Sequence, residues 1–157
     1  MIMIGHETIG MNPGYKSFYA FCKTFQKFFE GVKKKNPKKV GLHFGFSEEL
    51  AHLIESGSDM FLMPSKYEPC GLNQMYSLKY GTIPIVRSTG GLADTISEYK
   101  NGKGNGFVFE KYEPAELMKA IKRALKLFQN REEWIKLIRI AMACDYSWEV
   151  SSKKYVD

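Results

Sequence analysis

Glu68-Pro69-Cys70-Gly71-Leu72 joins two unlike stretches of this chain. Before it runs the apolar segment Asp59-Met60-Phe61-Leu62-Met63-Pro64-Ser65. After it comes Asn73-Gln74-Met75-Tyr76-Ser77-Leu78-Lys79-Tyr80, which has helical character. A strand, a tight turn with a carboxylate and a glycine, then a helix is how α/β proteins build sites at the C-terminal ends of parallel strands. The new helix points its first unpaired N–H groups into the crevice, where they hold an anion. A second such junction follows at once: Thr82-Ile83-Pro84-Ile85-Val86-Arg87 reads as a strand and Ser88-Thr89-Gly90-Gly91-Leu92 as the turn before the next helix. Two adjacent strand ends of this kind point to a phosphate-bearing ligand.

The elements that must position these turns are legible in the apolar pattern. Strand-like runs occur at 1–5, 40–44, 59–64, 82–87 and 106–110, and helical patterns lie between them at about 15–35, 47–56, 71–80 and 91–99. Alternating β and α units with short, unalternating apolar strands imply a Rossmann-like parallel sheet flanked by helices on both faces. After Phe109 the pattern is wholly helical. Glu113-Pro114-Ala115-Glu116 opens one helix, with proline in the first turn and acidic residues at its positive end. A second helix spans 131–142, and Tyr146-Ser147-Trp148-Glu149 starts a last one, with Ser147 as its cap and Trp148 and Tyr146 expected to anchor it by packing. His6, beyond the first strand, and His52, on the helix at 47–56, read as a solvated loop residue and a packed or hydrogen-bonded one.

Composition narrows the class. The chain has 157 residues, 44% hydrophobic and 25% charged, which is ordinary globular composition for one domain. Its net charge of +6 favours acidic partners: nucleic acid, a nucleoside diphosphate or a membrane surface. Lys33-Lys34-Lys35 and Lys38-Lys39 supply much of that charge. Such a run at a helix end is a solvated C-terminus favoured by the helix dipole, and it lacks the interleaved aromatics of a single-strand binding groove. The three cysteines, Cys22, Cys70 and Cys144, are far apart with no CxxC pair, so neither a zinc site nor a disulfide framework is implied, and no metal is expected. Cys70 reads as packed and not nucleophilic, because no histidine follows nearby. No apolar stretch approaches the about 20 residues that span a bilayer.

Gly45-Phe46, Leu50-Ala51-His52, the run from Phe61 through Gln74 and the run from Tyr80 through Thr95 together make a long, gap-free match. On these residues the chain resembles the C-terminal domain of bacterial glycogen synthases and plant starch synthases, from about Lys39 to Asp157. These are retaining glucosyltransferases of the two-domain GT-B type. The resemblance implies that the chain is one partial C-terminal nucleotide-sugar-binding domain over 1–157, with C-terminal helices from about 113. It implies Glu68 as the catalytic residue, reaching the hydroxyls of the donor glucose. Donor-binding positions would be Cys70, Gly71, Leu72 and Asn73 at the distal phosphate, Thr89, Gly90 and Gly91 in the second turn, and Phe46 against the base. Many members have threonine where this chain has Asn73, and tyrosine where it has Phe46. The broader class often has a second glutamate eight positions after the first; here that position is Tyr76.

The implied function is transfer of glucose from ADP-glucose or UDP-glucose to the non-reducing end of an α-1,4-glucan with retention, without a cofactor. The implied partners are that donor, the α-glucan acceptor and an N-terminal domain, with no nucleic acid and no membrane. The implied place is the cytoplasm, or the plastid in a plant or alga. Physical chemistry agrees with these roles: glycosyl transfer from a nucleoside diphosphate needs the departing charge stabilised, and helix N-termini supply that without a metal. Alternatives are a stand-alone nucleotide- or glucan-binding module and a related glycosyltransferase with another sugar donor. Complete synthases of this kind are much longer. The N-terminal domain with its Lys-x-Gly-Gly-Leu loop, and the first β-α unit of the C-terminal domain with its diphosphate-clamping arginine and lysine, have no counterpart here. In the doubly wound order that first strand is central. The strands at 1–5 and 40–44 are therefore expected to lack a bridge to those at 59–64, 82–87 and 106–110.

Overall fold

The computed structural model describes residues 2–4, 16–45 and 47–156. The chain falls into two compact units, Met1–Gly5 with Glu48–Asp157, and His6–Ser47. The smaller unit holds α1 (Lys16–Lys35), a 20-residue helix with Lys33, Lys34 and Lys35 in its last turn, where cations complement the helix dipole. The Asn36 backbone N–H and side-chain Nδ2 both donate to Val32 O and close that helix. The expected strand at 40–44 does not form: those residues are irregular, with His43 and Phe44 exposed. A strand exists only with a partner for its backbone groups, and no described strand pairs with this glycine-flanked run.

The larger unit is built on a four-stranded parallel sheet: β1 (Ile2–Ile4), β2 (Met60–Met63), β3 (Ile83–Arg87) and β4 (Phe107–Phe109), in that spatial order. The expected break after the first strand is absent. β1 pairs directly with β2, Ile2 opposite Met60 and Ile4 opposite Leu62. Along β2 and β3, Phe61, Ile83, Ile85 and Val86 are all fully buried. Both faces of these strands are covered, which is why their sequence is continuously apolar and does not alternate.

β3 carries a buried proline in the sheet interior. Ile83 N–H donates toward β2, to Asp59 O, so the Pro84 nitrogen faces β4. Pairing with β4 starts only at Ile85, opposite Phe107, and the missing donor leaves no gap in the ladder. β4 is the sheet edge, and two side chains cover it. Glu98 Oε2 accepts from Val108 N–H at 2.7 Å, and Arg123 Nη2 donates to Val108 O at 2.7 Å. Arg123 also grips Glu98 through Nε and Nη2, at 2.7 and 3.1 Å. An ion pair thus occupies the hydrogen-bonding positions a fifth strand would use.

Helices α2 (Glu48–Ser56), α3 (Asn73–Tyr80), α4 (Gly90–Thr95), α5 (Pro114–Phe128), α6 (Arg131–Ala143) and α7 (Trp148–Val156) complete the chain. α5 starts with Pro114 in its first turn; α6 is capped by Asn130, whose Oδ1 accepts from Glu133 N–H. Ala120 and Ala124 of α5 and Trp134, Leu137 and Ala141 of α6 join the sheet residues in one core. α3 stops at Gly81, in the left-handed region at φ 77°. α4 is shorter than its sequence pattern, ending at Thr95 with Ile96 extended. Asn105 explains the stop. Its Oδ1 accepts from Ser97 N–H at 2.8 Å and its Nδ2 donates to Thr95 O at 2.9 Å, holding 95–97 out of helix. Trp148 does not anchor α7, being 82% exposed. The anchoring contact is Tyr146, whose hydroxyl donates to Thr95 O at 2.6 Å; burial raises the pKa of that phenol and keeps it a donor.

Candidate functional site

The turns after β2 and β3 meet at the C-terminal edge of the sheet. Gly91 N–H donates to Glu68 O at 3.1 Å. A Cβ on Gly90 would lie 2.0 Å from Glu68 O, and one on Gly91 would lie 1.9 Å from Cys70 O. Gly90 also has φ 47°, in the left-handed region. Close backbone approach therefore requires glycine at both positions, and backbone angle requires it at Gly90 as well. The sheet register explains the meeting: Met63 stands opposite Val86, so β2 and β3 end side by side.

Glu68 is 9% exposed, and its Oε2 accepts from Ser65 Oγ at 3.2 Å. With that one partner among the described residues, the carboxylate keeps lone pairs for a ligand's hydroxyl groups. Lys66 O, two residues earlier, accepts from Arg87 Nη1 at 2.6 Å, while Arg87 Nε donates to Glu110 O at 3.0 Å. The Arg87 guanidinium also lies 5.7 Å from the Tyr112 ring centroid. Arg87 thus ties the loop bearing Glu68 to the end of β4 and brings a positive charge beside it.

The turn passes into α3 through Gly71 at φ 70° and Leu72 at φ −113°, ψ −33°. A left-handed residue followed by a right-handed one makes successive N–H groups converge into an anion-holding concavity. Among the described residues no side-chain hydrogen bond caps this helix, which leaves its positive dipole end open to a ligand. Cys70, Leu72 and Asn73 are exposed and Gly71 is half-buried. The exposed Cys70 thiol corrects its reading as a packed residue. The turn uses the Cys70 carbonyl, which Gln74 holds, and leaves the side chain outside.

Of the sequence-derived site residues, the structure brings together Glu68, Cys70, Gly71, Leu72, Asn73, Thr89, Gly90 and Gly91; Phe46 lies outside the described residues, as does His6. His52 is hydrogen-bonded, its Nδ1 3.2 Å from Tyr80 Oη, with the Tyr76 ring 5.2 Å away. The residues that brace the site, Gln74, Thr95 and Arg87, carry no motif of their own. Gln74 offered one signal, an uncharged polar residue on a helix that must face the core. Among the described residues no cluster of three or more His, Cys, Asp or Glu could hold a metal ion. Two surface hollows, of about 310 and 770 Å³, flank β4 and α5, and no residue of this site lines them.

The profile of the family described as glycosyl transferases group 1 matches residues 23–140. The chain is 52% identical over 134 residues to the glycogen synthase of Fervidobacterium nodosum, covering 84% of this chain and 28% of that protein. It is 53% identical over 137 residues to the glycogen synthase of Desulforudis audaxviator, covering 85% and 27%. The chain thus spans little more than a quarter of the length of these relatives. Among solved structures, the catalytic domain of starch synthase IV from Arabidopsis thaliana, bound to ADP and acarbose, superposes with a TM-score of 0.76. That match is 34% identical and covers 85% of this chain and 29% of that one. Among the described residues no helix is long and apolar enough to cross a membrane.

Proposed function

The chain belongs to the glycosyl transferases group 1 family, and from that premise we propose that it is the donor-binding part of a glycogen or starch synthase. The proposed reaction moves glucose from ADP-glucose or UDP-glucose to the non-reducing end of an α-1,4-glucan, with retention. The observation that carries this is the contact of the Glu68–Gly71 turn with Gly90 and Gly91 at the head of an uncapped helix. One ligand can then touch a carboxylate at one end and converging N–H groups at the other. A nucleotide sugar has that layout, with sugar hydroxyls at one end and a diphosphate at the other.

In this reading Glu68 accepts hydrogen bonds from the donor glucose and favours the positive charge that develops at its anomeric carbon. The N–H groups of Gly71, Leu72 and Asn73 hold the distal phosphate and stabilise the charge of the departing nucleoside diphosphate. Thr89, Gly90 and Gly91 complete the wall. ADP is the favoured nucleotide, because the related starch synthase IV holds ADP. The 1–157 chain is read as one partial C-terminal domain. It works with an N-terminal domain that brings the glucan acceptor, in the cytoplasm or a plastid. Isothermal titration of the purified chain with ADP, UDP and their glucose conjugates tests the reading. A saturable one-to-one complex with a nucleoside diphosphate, tighter than with adenosine or uridine, is expected. Absence of binding by every diphosphate would overturn it. The isolated chain is expected not to elongate maltooligosaccharides, and robust elongation would overturn its reading as the donor-binding part alone.

A further inference from the structure

Gln74 is fully buried in the first turn of α3, and its Nε2 reaches three acceptors: Gly71 O at 2.8 Å, Cys70 O at 3.2 Å and Thr95 Oγ1 at 3.3 Å. Thr95 spends its own hydroxyl hydrogen on Gly91 O at 2.6 Å, so toward Gln74 it acts as acceptor. Gln74 Oε1 has no hydrogen-bond partner among the described residues. A buried unsatisfied acceptor is unfavourable for folding. An apolar side chain of the same length would remove that penalty. What offsets that penalty is the donor group, which an apolar side chain lacks.

The effect of that donor follows from peptide geometry. In a planar trans peptide the carbonyl of one residue and the N–H of the next point in opposite directions. No described peptide bond is cis. By drawing the Cys70 and Gly71 carbonyls inward, Gln74 turns the Gly71 and Leu72 N–H groups outward, toward the mouth at the head of α3. Without the donor, the glycine at φ 70° leaves the 70–72 peptides free to rotate, and a carbonyl oxygen can swing into the place of the anion.

We infer that Gln74, held by Thr95, is the positioning residue that aims the Gly71 and Leu72 N–H groups at the diphosphate of the donor. This deepens the donor-binding reading and rests on it. The Thr95–Gly91 bond adds a second tie: Gly91 N–H holds Glu68 O, so one network sets both the phosphate end and the carboxylate end.

The test uses the whole 157-residue chain with the variants Gln74→Met, Thr95→Val and Thr95→Ser. Gln74→Met keeps length and volume without the donor, Thr95→Val removes the hydroxyl and Thr95→Ser retains it. Affinity for ADP should fall about 10- to 100-fold in Gln74→Met, the loss expected when charge-assisted bonds to a phosphate are misdirected. Affinity for adenosine should not change. Thr95→Val should show a smaller ADP loss, and Thr95→Ser should restore wild-type binding. Equal weakening of ADP and adenosine, or normal ADP binding by Gln74→Met, would overturn the assignment. A second arm needs no nucleotide. In the free chain the amide resonances of Gly71, Leu72 and Gly91 should move in Gln74→Met and Thr95→Val and return in Thr95→Ser. Unmoved resonances refute the positioning role even if the wild type binds ADP. Moved resonances in a chain that binds no ADP uphold the orientation of the turn and refute the donor reading alone.

Discussion

Replacing Glu55 with glutamine should make the protein's stability less dependent on pH. Glu55 lies on α2 and is 1% exposed, and neither carboxylate oxygen has a hydrogen-bond partner among the described residues. Burial without compensation penalises the charged form and pushes the carboxyl from 4.5 up to about 7. Between those two values the folded chain keeps a proton that the unfolded chain has released. Stability therefore falls as pH rises through this window, and levels off above it. At about 1.4 kcal/mol per unit of pKa difference, the loss is about 3 kcal/mol. For a chain of this size that is a fall of roughly 6–12 °C in Tm.

Glu55→Gln has nearly the same volume and no charge to bury. Urea unfolding of both proteins at several pH values between 4 and 8, followed by circular dichroism, gives the difference directly. Other titrating groups cancel in the comparison. The variant should match the wild type near pH 4, below both values, and exceed it by up to about 3 kcal/mol at pH 8. Parallel pH profiles for the two proteins would show that the carboxylate finds a compensating partner or water. A variant less stable at pH 8 would reverse the sign of the burial argument.

In a complete enzyme built around this domain, Glu68→Gln should lower turnover by roughly 10²–10³-fold while nucleotide affinity holds, and near-normal turnover in a stable variant would remove Glu68 from the chemistry. Gly91→Ala places a methyl group 1.9 Å from Cys70 O, so calorimetry should show destabilisation of about 1–3 kcal/mol or more and titration a weakened ADP complex; unchanged melting and binding would mean that the turns are not in contact. Removing both Glu98 and Arg123 by alanine substitution frees the N–H and C=O of Val108 on the edge strand, and light scattering after size exclusion should detect self-association that neither parent residue permits. A double variant that stays monomeric at high concentration would show that the pair is not needed to guard the edge.

The sequence announced the strand-turn-helix units because each signal was local. β2 and β3 are continuously apolar, and their turns carry the glycines that close approach requires. Register was harder to foresee. β1 pairs directly with β2, and 40–44 remains irregular, because strand pairing depends on which partner is within reach and not on the run alone. The end of α4 at Thr95 was hidden for a similar reason, since the side chain that stops it, Asn105, is ten residues away. Trp148 misled because aromatic residues usually bury, whereas here the hydroxyl of Tyr146 supplies the tie. Gln74, Thr95 and Arg87 were not legible as site residues at all: each acts on a backbone carbonyl, and carbonyls leave no mark in a sequence.

Those carbonyl contacts give the site its common logic. Arg87 takes Lys66 O, Gly91 N–H takes Glu68 O, and Gln74 takes Cys70 O and Gly71 O. Four acceptors of one short turn are thus engaged from the inside, which leaves donors on its outer face. In the proposed donor site, selectivity for an anion would then belong to the backbone, and its direction to three side chains that need never touch the ligand. Such an arrangement holds charge without burying a cation, and so avoids the desolvation that an inward-facing lysine or arginine would suffer. It also makes the site sensitive to changes that conserve every ligand-contacting residue. A substitution at Thr95 leaves Glu68, Gly71 and Gly91 in place and still alters what all three present.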